Sequence, residues 1–217
     1  YGVSSKCGSS NVMEFLGIKF SNEADFLEKS IDEAGICVLH APLFHPAMKN
    51  VAPIRRELGV KTFFNMLGPM VNPAFPKNQM VGVFNLELAR MYGYLYQNTN
   101  KKFTVLHALD GYDEISLTGN TKTISNQSEG MLRPEDFGVK AIRQSEIAGG
   151  YSIEQSAQIF LNVLQGRGTE AQNNVVCANA GVAIATVENL NPKVGFEKAK
   201  ESLLNGHGLK ALKKLQE

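Results

Sequence analysis

The chain has 217 residues, 43% of them hydrophobic and 20% charged, which is an ordinary composition for a globular protein able to bury a core. A net charge of +1 offers no basic field for nucleic acid, and no apolar stretch has the length of a membrane span. Three widely spaced cysteines fit neither a disulfide framework nor a paired-cysteine metal site, which favours a reducing cytoplasm. The length predicts one large domain or at most one domain with an appendage, and we expect a single domain over residues 1–217.

The first third of the chain predicts two helices and one strand. A helix opens after Asn11 and ends at Gly17, with Asn11 and Glu14 spaced as in a capping box. Residues 35–39 form a short apolar run typical of a buried strand, and apolar residues recur at helical spacing over 48–58.

The rest of the chain alternates strand and helix patterns, interrupted by a breaker-rich loop over 65–73. The predicted strands cover 79–84, 103–109 and 121–125, the predicted helices cover 86–96 and 152–165, and an apolar stretch covers 173–187. This alternation predicts an α/β fold with a mostly parallel central sheet flanked by helices. Ligands in such sheets bind where strands end, which points to the segments after Leu39 and Leu109.

Three segments carry residue types suited to chemistry. Residues 3–10 are small and hydroxyl-rich and lead into a helix, where backbone N–H groups can bind an anion. An ordinary helix cap explains the same residues. Arg55 lies beside an apolar helical stripe and could bind a carboxylate or phosphate with two parallel hydrogen bonds, although a solvent-exposed charge is the plainer interpretation.

Asp113 and Glu114 form the third segment, in a turn that follows a predicted buried strand. Adjacent carboxylates on a loop can hold Mg²⁺ and leave room for water and substrate phosphates. A simple polar turn is the alternative. His107 and His207 are isolated and are predicted to be structural or surface residues.

Read together, these segments resemble the anthranilate phosphoribosyltransferase family. Residues 45–59 read HPAMKNVAPIRRELG and residues 61–73 read KTFFNMLGPMVNP, similar to a long central string of that family. Residues 110–114, DGYDE, look like its DGxDE turn, residues 4–9, SSKCGS, like the end of its KHGNRxVSSxxGSAD segment, and residues 175–180, VVCANA, like its VLLNAA.

The resemblance implies a nucleoside phosphorylase/phosphoribosyltransferase-like catalytic domain. Its expected reaction transfers phosphoribosyl from phosphoribosyl pyrophosphate to anthranilate in tryptophan biosynthesis. By position, Asp113 and Glu114 would bind Mg²⁺, and Arg55 and His45 would bind anthranilate, with the loop around Gly68 as part of the wall. Residues expected to contact the phosphoribosyl donor are Tyr1, Gly2, Val3, Ser4, Ser5 and Ser9. No catalytic general base is assigned.

Tyr1 stands where the family usually has Arg, so a phosphate contact by that Arg is not expected here. The resemblance also places the family's GTGGD loop, its KHGN residues and most of its small helical domain before residue 1. We therefore expect this chain to be inactive by itself and the full-length protein to be a homodimer. The alternatives are a pyrimidine nucleoside phosphorylase-like enzyme, a nucleic-acid-binding relative and an α/β interaction domain.

Overall fold

The computed structural model describes residues 8–45 and 64–217. Two compact units can be distinguished. One unit takes in the chain up to Phe75 together with Gly150–Gln158 and Gly208–Glu217, and the other comprises Pro76–Gly149 and Ile159–His207. The assignment of residues 1–217 to one domain stays a prediction.

The first unit is helical where it is described. Along its first segment the described helices are α1 (Ser9–Phe15), α2 (Ala24–Ala34), α3 (Ala41–Phe44) and α4 (Phe64–Leu67), followed by a 3₁₀ turn over Gly68–Met70. Gly8 is the N-cap residue of α1, and Asn11 lies in the first turn of the helix. The side-chain oxygen of Asn11 accepts a hydrogen bond from the Gly8 N–H at 3.2 Å. The predicted capping box with Asn11 as the cap residue is therefore wrong by one turn.

The predicted strand over 35–39 is not a strand. Helix α2 ends at Gly35, which has a left-handed backbone (φ 73°), and the following residues belong to no sheet in the described chain. Ile36 is 49% exposed. An apolar run becomes a strand only where another strand supplies hydrogen bonds, and none of the described strands does so. The predicted helix over 48–58 lies outside the described residues.

The second unit contains a four-stranded sheet in the order β1 (Asn78–Gly82), β2 (Lys102–Ala108), β3 (Thr121–Ser125) and β4 (Glu129–Leu132). β1 and β2 are parallel, whereas β2–β3 and β3–β4 are antiparallel. The α/β class is confirmed, but this sheet is mixed rather than mostly parallel. Only three residues separate β3 from β4, a short connection that favours an antiparallel pair, whereas the parallel β1–β2 pair is joined by a longer crossover that contains a helix.

Helices cover both faces of β2, which is buried from Phe103 to Ala108. Helix α5 (Leu86–Gln97) crosses from β1 to β2, and its Tyr96 ring lies 5.4 Å from the Phe103 ring. The opposite face meets α7 (Glu170–Glu188), where the Thr186 and Thr104 hydroxyls lie 2.7 Å apart. Alternate β2 side chains therefore pack against different helices.

The remaining helices of the described chain are α6 (Ile153–Leu164), α8 (Pro192–Leu204) and α9 (His207–Leu215), and further 3₁₀ turns cover Pro134–Phe137 and Gln144–Ile147. Helices α7 and α8 approach closely at two glycines. A Cβ on Gly181 would lie 2.5 Å from the Phe196 nitrogen, and one on Gly195 would lie 2.1 Å from the Gly181 carbonyl oxygen. Only glycine permits this backbone contact.

The core of the second unit lies between α7, α8 and the sheet. Its buried members are Leu106, Ile115, Leu117, Phe137, Val163, Cys177, Ala178, Val182, Phe196, Ala199 and Leu203. Predictions for 86–96, 103–109, 121–125 and 152–165 are confirmed to within a residue or two. Among the described residues, no helix combines the length and apolarity needed to cross a bilayer.

Candidate functional site

An acidic turn closes the carboxyl end of β2. The chain reverses through Gly111, whose φ of 102° is a conformation that favours glycine. The Ala108 N–H donates to the Tyr112 carbonyl and the Gly111 N–H donates to the Ala108 carbonyl, each at 2.9 Å. Asp113 and Glu114 follow directly and are both exposed. The structure therefore places the predicted metal-binding pair where α/β sheets bind ligands.

Asp110 binds the loop that follows this turn. Its carboxylate accepts from the Ser116 hydroxyl at 3.1 and 3.3 Å and from the Thr118 hydroxyl. Leu117, between the two donors, is fully buried with a left-handed backbone (φ 57°). A non-glycine residue in this region costs about 1–3 kcal/mol and persists only where its surroundings fix it. The hydroxyl–carboxylate contacts and the buried leucine provide that constraint.

Gly82, at the end of β1, lies against the backbone of the acidic turn. A Cβ at this position would lie 1.5 Å from the Asp113 carbonyl oxygen. The close approach explains why glycine ends this strand. The absence of a side chain at Gly82 therefore determines how closely the backbone of Asp113 can pack against the end of β1.

Asn179 of α7 holds the other side of the turn. Its side-chain oxygen accepts from the Ile115 N–H at 2.9 Å, and its amide donates to the Ile115 carbonyl at 2.8 Å and to the Val175 carbonyl at 3.0 Å. The residue next to Glu114 is thereby bound through both of its backbone groups. Backbone groups that leave a sheet need such partners when they approach a core.

The electrostatics of the pair favour a cation. Desolvation raises the pKa of the Glu114 carboxyl, and the neighbouring Asp113 charge raises it further. None of the ion pairs within the described residues involves either carboxylate. A divalent cation would relieve their mutual repulsion.

Two carboxylates form an incomplete metal site. In the described part of the chain, no group of three or more His, Cys, Asp or Glu side chains could hold a metal ion. Mg²⁺ commonly binds one or two protein carboxylates and completes its shell with water and substrate phosphates. The pair therefore fits Mg²⁺ that arrives with a phosphorylated ligand.

The first unit carries the other described candidates. His45 lines a cavity of about 90 Å³ together with Gly68. The remaining lining residues are Leu39, Ala41, Phe44, Asn72 and Pro73. The structure thus brings together His45 and the Gly68 loop, which sequence comparison had placed on one channel wall. Ser9 is the exposed first residue of α1. Arg55, Tyr1, Gly2, Val3, Ser4 and Ser5 lie outside the described residues.

Sequence reasoning did not assign roles to Gly82, Asp110 or Asn179. Asp110 and Asn179 stand in the DGYDE and VVCANA strings, but no pattern there indicates that they bind the turn. His107 is buried and its Nδ1 lies 2.8 Å from the Val83 carbonyl oxygen. The prediction that His107 is structural is confirmed by this contact.

Comparison with known proteins identifies several similar chains. A family model described as glycosyl transferase family, a/b domain, matches residues 1–209. Anthranilate phosphoribosyltransferases of Flavobacterium psychrophilum and Flavobacterium johnsoniae are 77% and 73% identical over the whole chain. The chain spans 66% of the length of each of these curated relatives.

Solved structures of similar proteins give the same picture. Anthranilate phosphoribosyltransferase from Thermus thermophilus matches with a TM-score of 0.91 and 30% identity, covering 99% of this chain and 65% of that chain. The enzyme from Saccharomyces cerevisiae, in complex with PRPP and Mg, matches with a TM-score of 0.87 and 28% identity, covering 98% of this chain and 61% of that chain.

Proposed function

Because the chain belongs to the glycosyl transferase family, a/b domain, we propose that it is part of an anthranilate phosphoribosyltransferase of tryptophan biosynthesis. The reaction takes phosphoribosyl pyrophosphate and anthranilate to N-(5-phosphoribosyl)anthranilate and pyrophosphate. The observation that carries the proposal is the exposed Asp113–Glu114 pair at the carboxyl end of β2. The names of the 77% and 73% identical relatives support it.

The proposed chemistry asks the protein for positioning and electrostatics. The bond between ribose C1 and the pyrophosphate oxygen breaks through a cationic, oxocarbenium-like transition state. The anthranilate nitrogen forms the new bond to C1 and then loses its proton to solvent. Mg²⁺ held by Asp113 and Glu114 would neutralise the charge of the departing pyrophosphate. A good leaving group and a positioned amine need no general base from the protein.

The substrate contacts are also part of the proposal. Arg55 binds the anthranilate carboxylate through a bidentate contact, and His45 with the Gly68 loop lines the channel. The segment from Tyr1 to Ser5, together with Ser9, binds the phosphoribosyl donor. The cavity shared by His45 and Gly68 supports the channel assignment, and the Arg55 and Tyr1–Ser5 roles rest on the family resemblance.

The test follows loss of anthranilate fluorescence with phosphoribosyl pyrophosphate and Mg²⁺, using the product of the complete gene. We expect Asp113→Asn/Glu114→Gln and Arg55→Ala each to lower kcat/KM by about 100-fold or more. Matched controls are Asp32→Asn/Glu33→Gln, an adjacent exposed acidic pair on α2, and Arg56→Ala beside Arg55. Both controls should keep wild-type turnover.

A folded wild-type protein that leaves anthranilate unchanged would contradict the proposed reaction. Nucleosides with phosphate would then test the phosphorylase alternative, and a nucleic-acid binding assay would test the non-enzymatic one. Neither alternative is favoured by the relatives, which are named anthranilate phosphoribosyltransferase. Equal losses in the control pair and the Asp113/Glu114 pair would contradict the metal assignment alone.

Four further expectations stay predictions. The protein is placed in the cytoplasm, in keeping with the free thiols of Cys37 and Cys177. The product of the complete gene is expected to be a homodimer, which sedimentation can test, and to have no nucleic-acid partner. The 217-residue chain assayed by itself is expected to give no anthranilate turnover.

A further inference from the structure

The helix residue Asn179 reaches the acidic turn through a pair of hydrogen bonds. Its side chain meets both backbone groups of Ile115, accepting at 2.9 Å and donating at 2.8 Å. A second donation, to the Val175 carbonyl at 3.0 Å, fixes the amide on its own helix. The contact with Ile115 spans 64 positions in the sequence, so the local turn geometry does not create it.

A backbone held at one point can still pivot, but this turn is held at two. The Asp113 carbonyl rests on Gly82 at the end of β1, where no Cβ fits. Asn179 then fixes Ile115, two positions later. Asp113 belongs to the first of these points and Glu114 lies between them, and both side chains are exposed. The fixed points therefore set where the two carboxylates are presented while leaving them open to ligands.

We propose that Asn179 is a positioning residue for the metal-binding carboxylates Asp113 and Glu114, an inference that rests on the proposed function. Groups that orient metal-binding side chains without touching the metal commonly change metal affinity by about 10- to 100-fold when they are removed. Asn179 acts on the ligands through the Ile115 backbone and contacts no metal itself. An amide suits this task because it carries a donor and an acceptor on one plane.

The test compares metal affinity with fold stability. Binding of Mn²⁺, as a probe for Mg²⁺, is measured by the paramagnetic resonance of the free ion, with and without phosphoribosyl pyrophosphate. The protein is the product of the complete gene. We expect Asn179→Ala to weaken Mn²⁺ binding by about 10-fold or more. Asn179→Gln keeps the amide but adds one methylene, and it should weaken binding in the same direction.

Thr186→Val is the matched control. Thr186 also lies on α7 and joins the sheet by a 2.7 Å hydroxyl contact with Thr104. Its loss removes a helix-to-sheet hydrogen bond at a position other than the acidic turn. Mn²⁺ affinity should stay within twofold of wild type in this variant. Hydrogen exchange of the peptide containing Ile115 should accelerate in the Asn179 variants and stay slow in Thr186→Val.

Several results would overturn the proposal. One such result is an Asn179→Ala variant in which the Ile115 amide exchanges its hydrogen fast while Mn²⁺ affinity stays within twofold of wild type. It would show that the Asn179–Ile115 hydrogen bonds do not position the carboxylates. Equal weakening by Thr186→Val, no Mn²⁺ binding by wild type, or failure of both Asn179 variants to fold would do the same. Lack of anthranilate turnover by wild type would refute the reaction instead, and the Mn²⁺ comparison would remain informative.

Discussion

Replacement of Gly82 by alanine should displace the acidic turn that carries Asp113 and Glu114, because Gly82 packs directly against its backbone. The added Cβ would lie 1.5 Å from the Asp113 carbonyl oxygen, 2.7 Å from its carbonyl carbon and 3.5 Å from its Cα. All three atoms belong to the backbone, so no side-chain rotation can relieve the overlap. The turn itself must move, or β1 must leave its register with β2.

The size of the movement follows from the contact distances. Cβ atoms essentially never approach another atom closer than 3.0 Å, so the Asp113 oxygen must retreat by about 1.5 Å. Overpacking of this kind destabilises a protein by about 1–3 kcal/mol. A catalytic group misplaced by about 1 Å can lower activity by about 100-fold. We therefore expect Gly82→Ala to lose at least that much in kcat/KM while the protein still folds.

The assay is anthranilate turnover as a function of Mg²⁺ concentration, beside urea unfolding. Gly130→Ala in β4 is the matched control, because a Cβ there meets no atom within 4 Å. The control should change neither activity nor stability appreciably. Wild-type kcat/KM and unchanged Mg²⁺ dependence in Gly82→Ala would refute the argument that this glycine sets the position of Asp113.

Three other predictions concern stability. Gly181→Ala should lower the free energy of unfolding by about 3 kcal/mol, since its Cβ would meet the α8 backbone at 2.5 Å, and a urea midpoint equal to that of Gly130→Ala would contradict this. Phe196→Ala should cost about 3–5 kcal/mol because the ring is 1% exposed, whereas Tyr151→Ala, at a residue 92% exposed, should stay within about 0.5 kcal/mol; similar losses would argue against the described core. Glu114→Gln should raise the melting temperature of the metal-free protein at neutral pH. The folded state raises the pKa of this acid, so its contribution to stability falls as pH rises above the ordinary carboxyl range. The advantage of the variant should disappear in acid, and a gain that is independent of pH would contradict the assigned cause.

Local patterns in the sequence determined the individual elements well wherever the pattern itself carries the physical cause. Residues 103–109 are mostly apolar because β2 is buried on both faces, and 121–125 alternate because β3 is partly exposed. Gly166 ends the helix predicted over 152–165 with a left-handed backbone (φ 69°). The same local logic failed at 35–39, where an apolar run lacks a strand partner among the described residues.

The candidate site also combines features that are visible in the sequence with contacts that are visible only in the folded chain. Asp113 and Glu114 can be recognised from sequence as adjacent carboxylates after a strand, because adjacency and the preceding apolar run are local properties. The contacts that hold them in place appear only in the folded protein. Gly82 lies 31 positions from Asp113 and Asn179 lies 64 positions from Ile115. The role of Gly82 depends on a missing Cβ that would lie 1.5 Å from the Asp113 carbonyl oxygen, and the role of Asn179 depends on a 2.9 Å hydrogen bond from the Ile115 N–H to its side-chain oxygen. Contacts between residues far apart in the chain leave no periodicity in a single sequence, so they become visible only once the chain has packed.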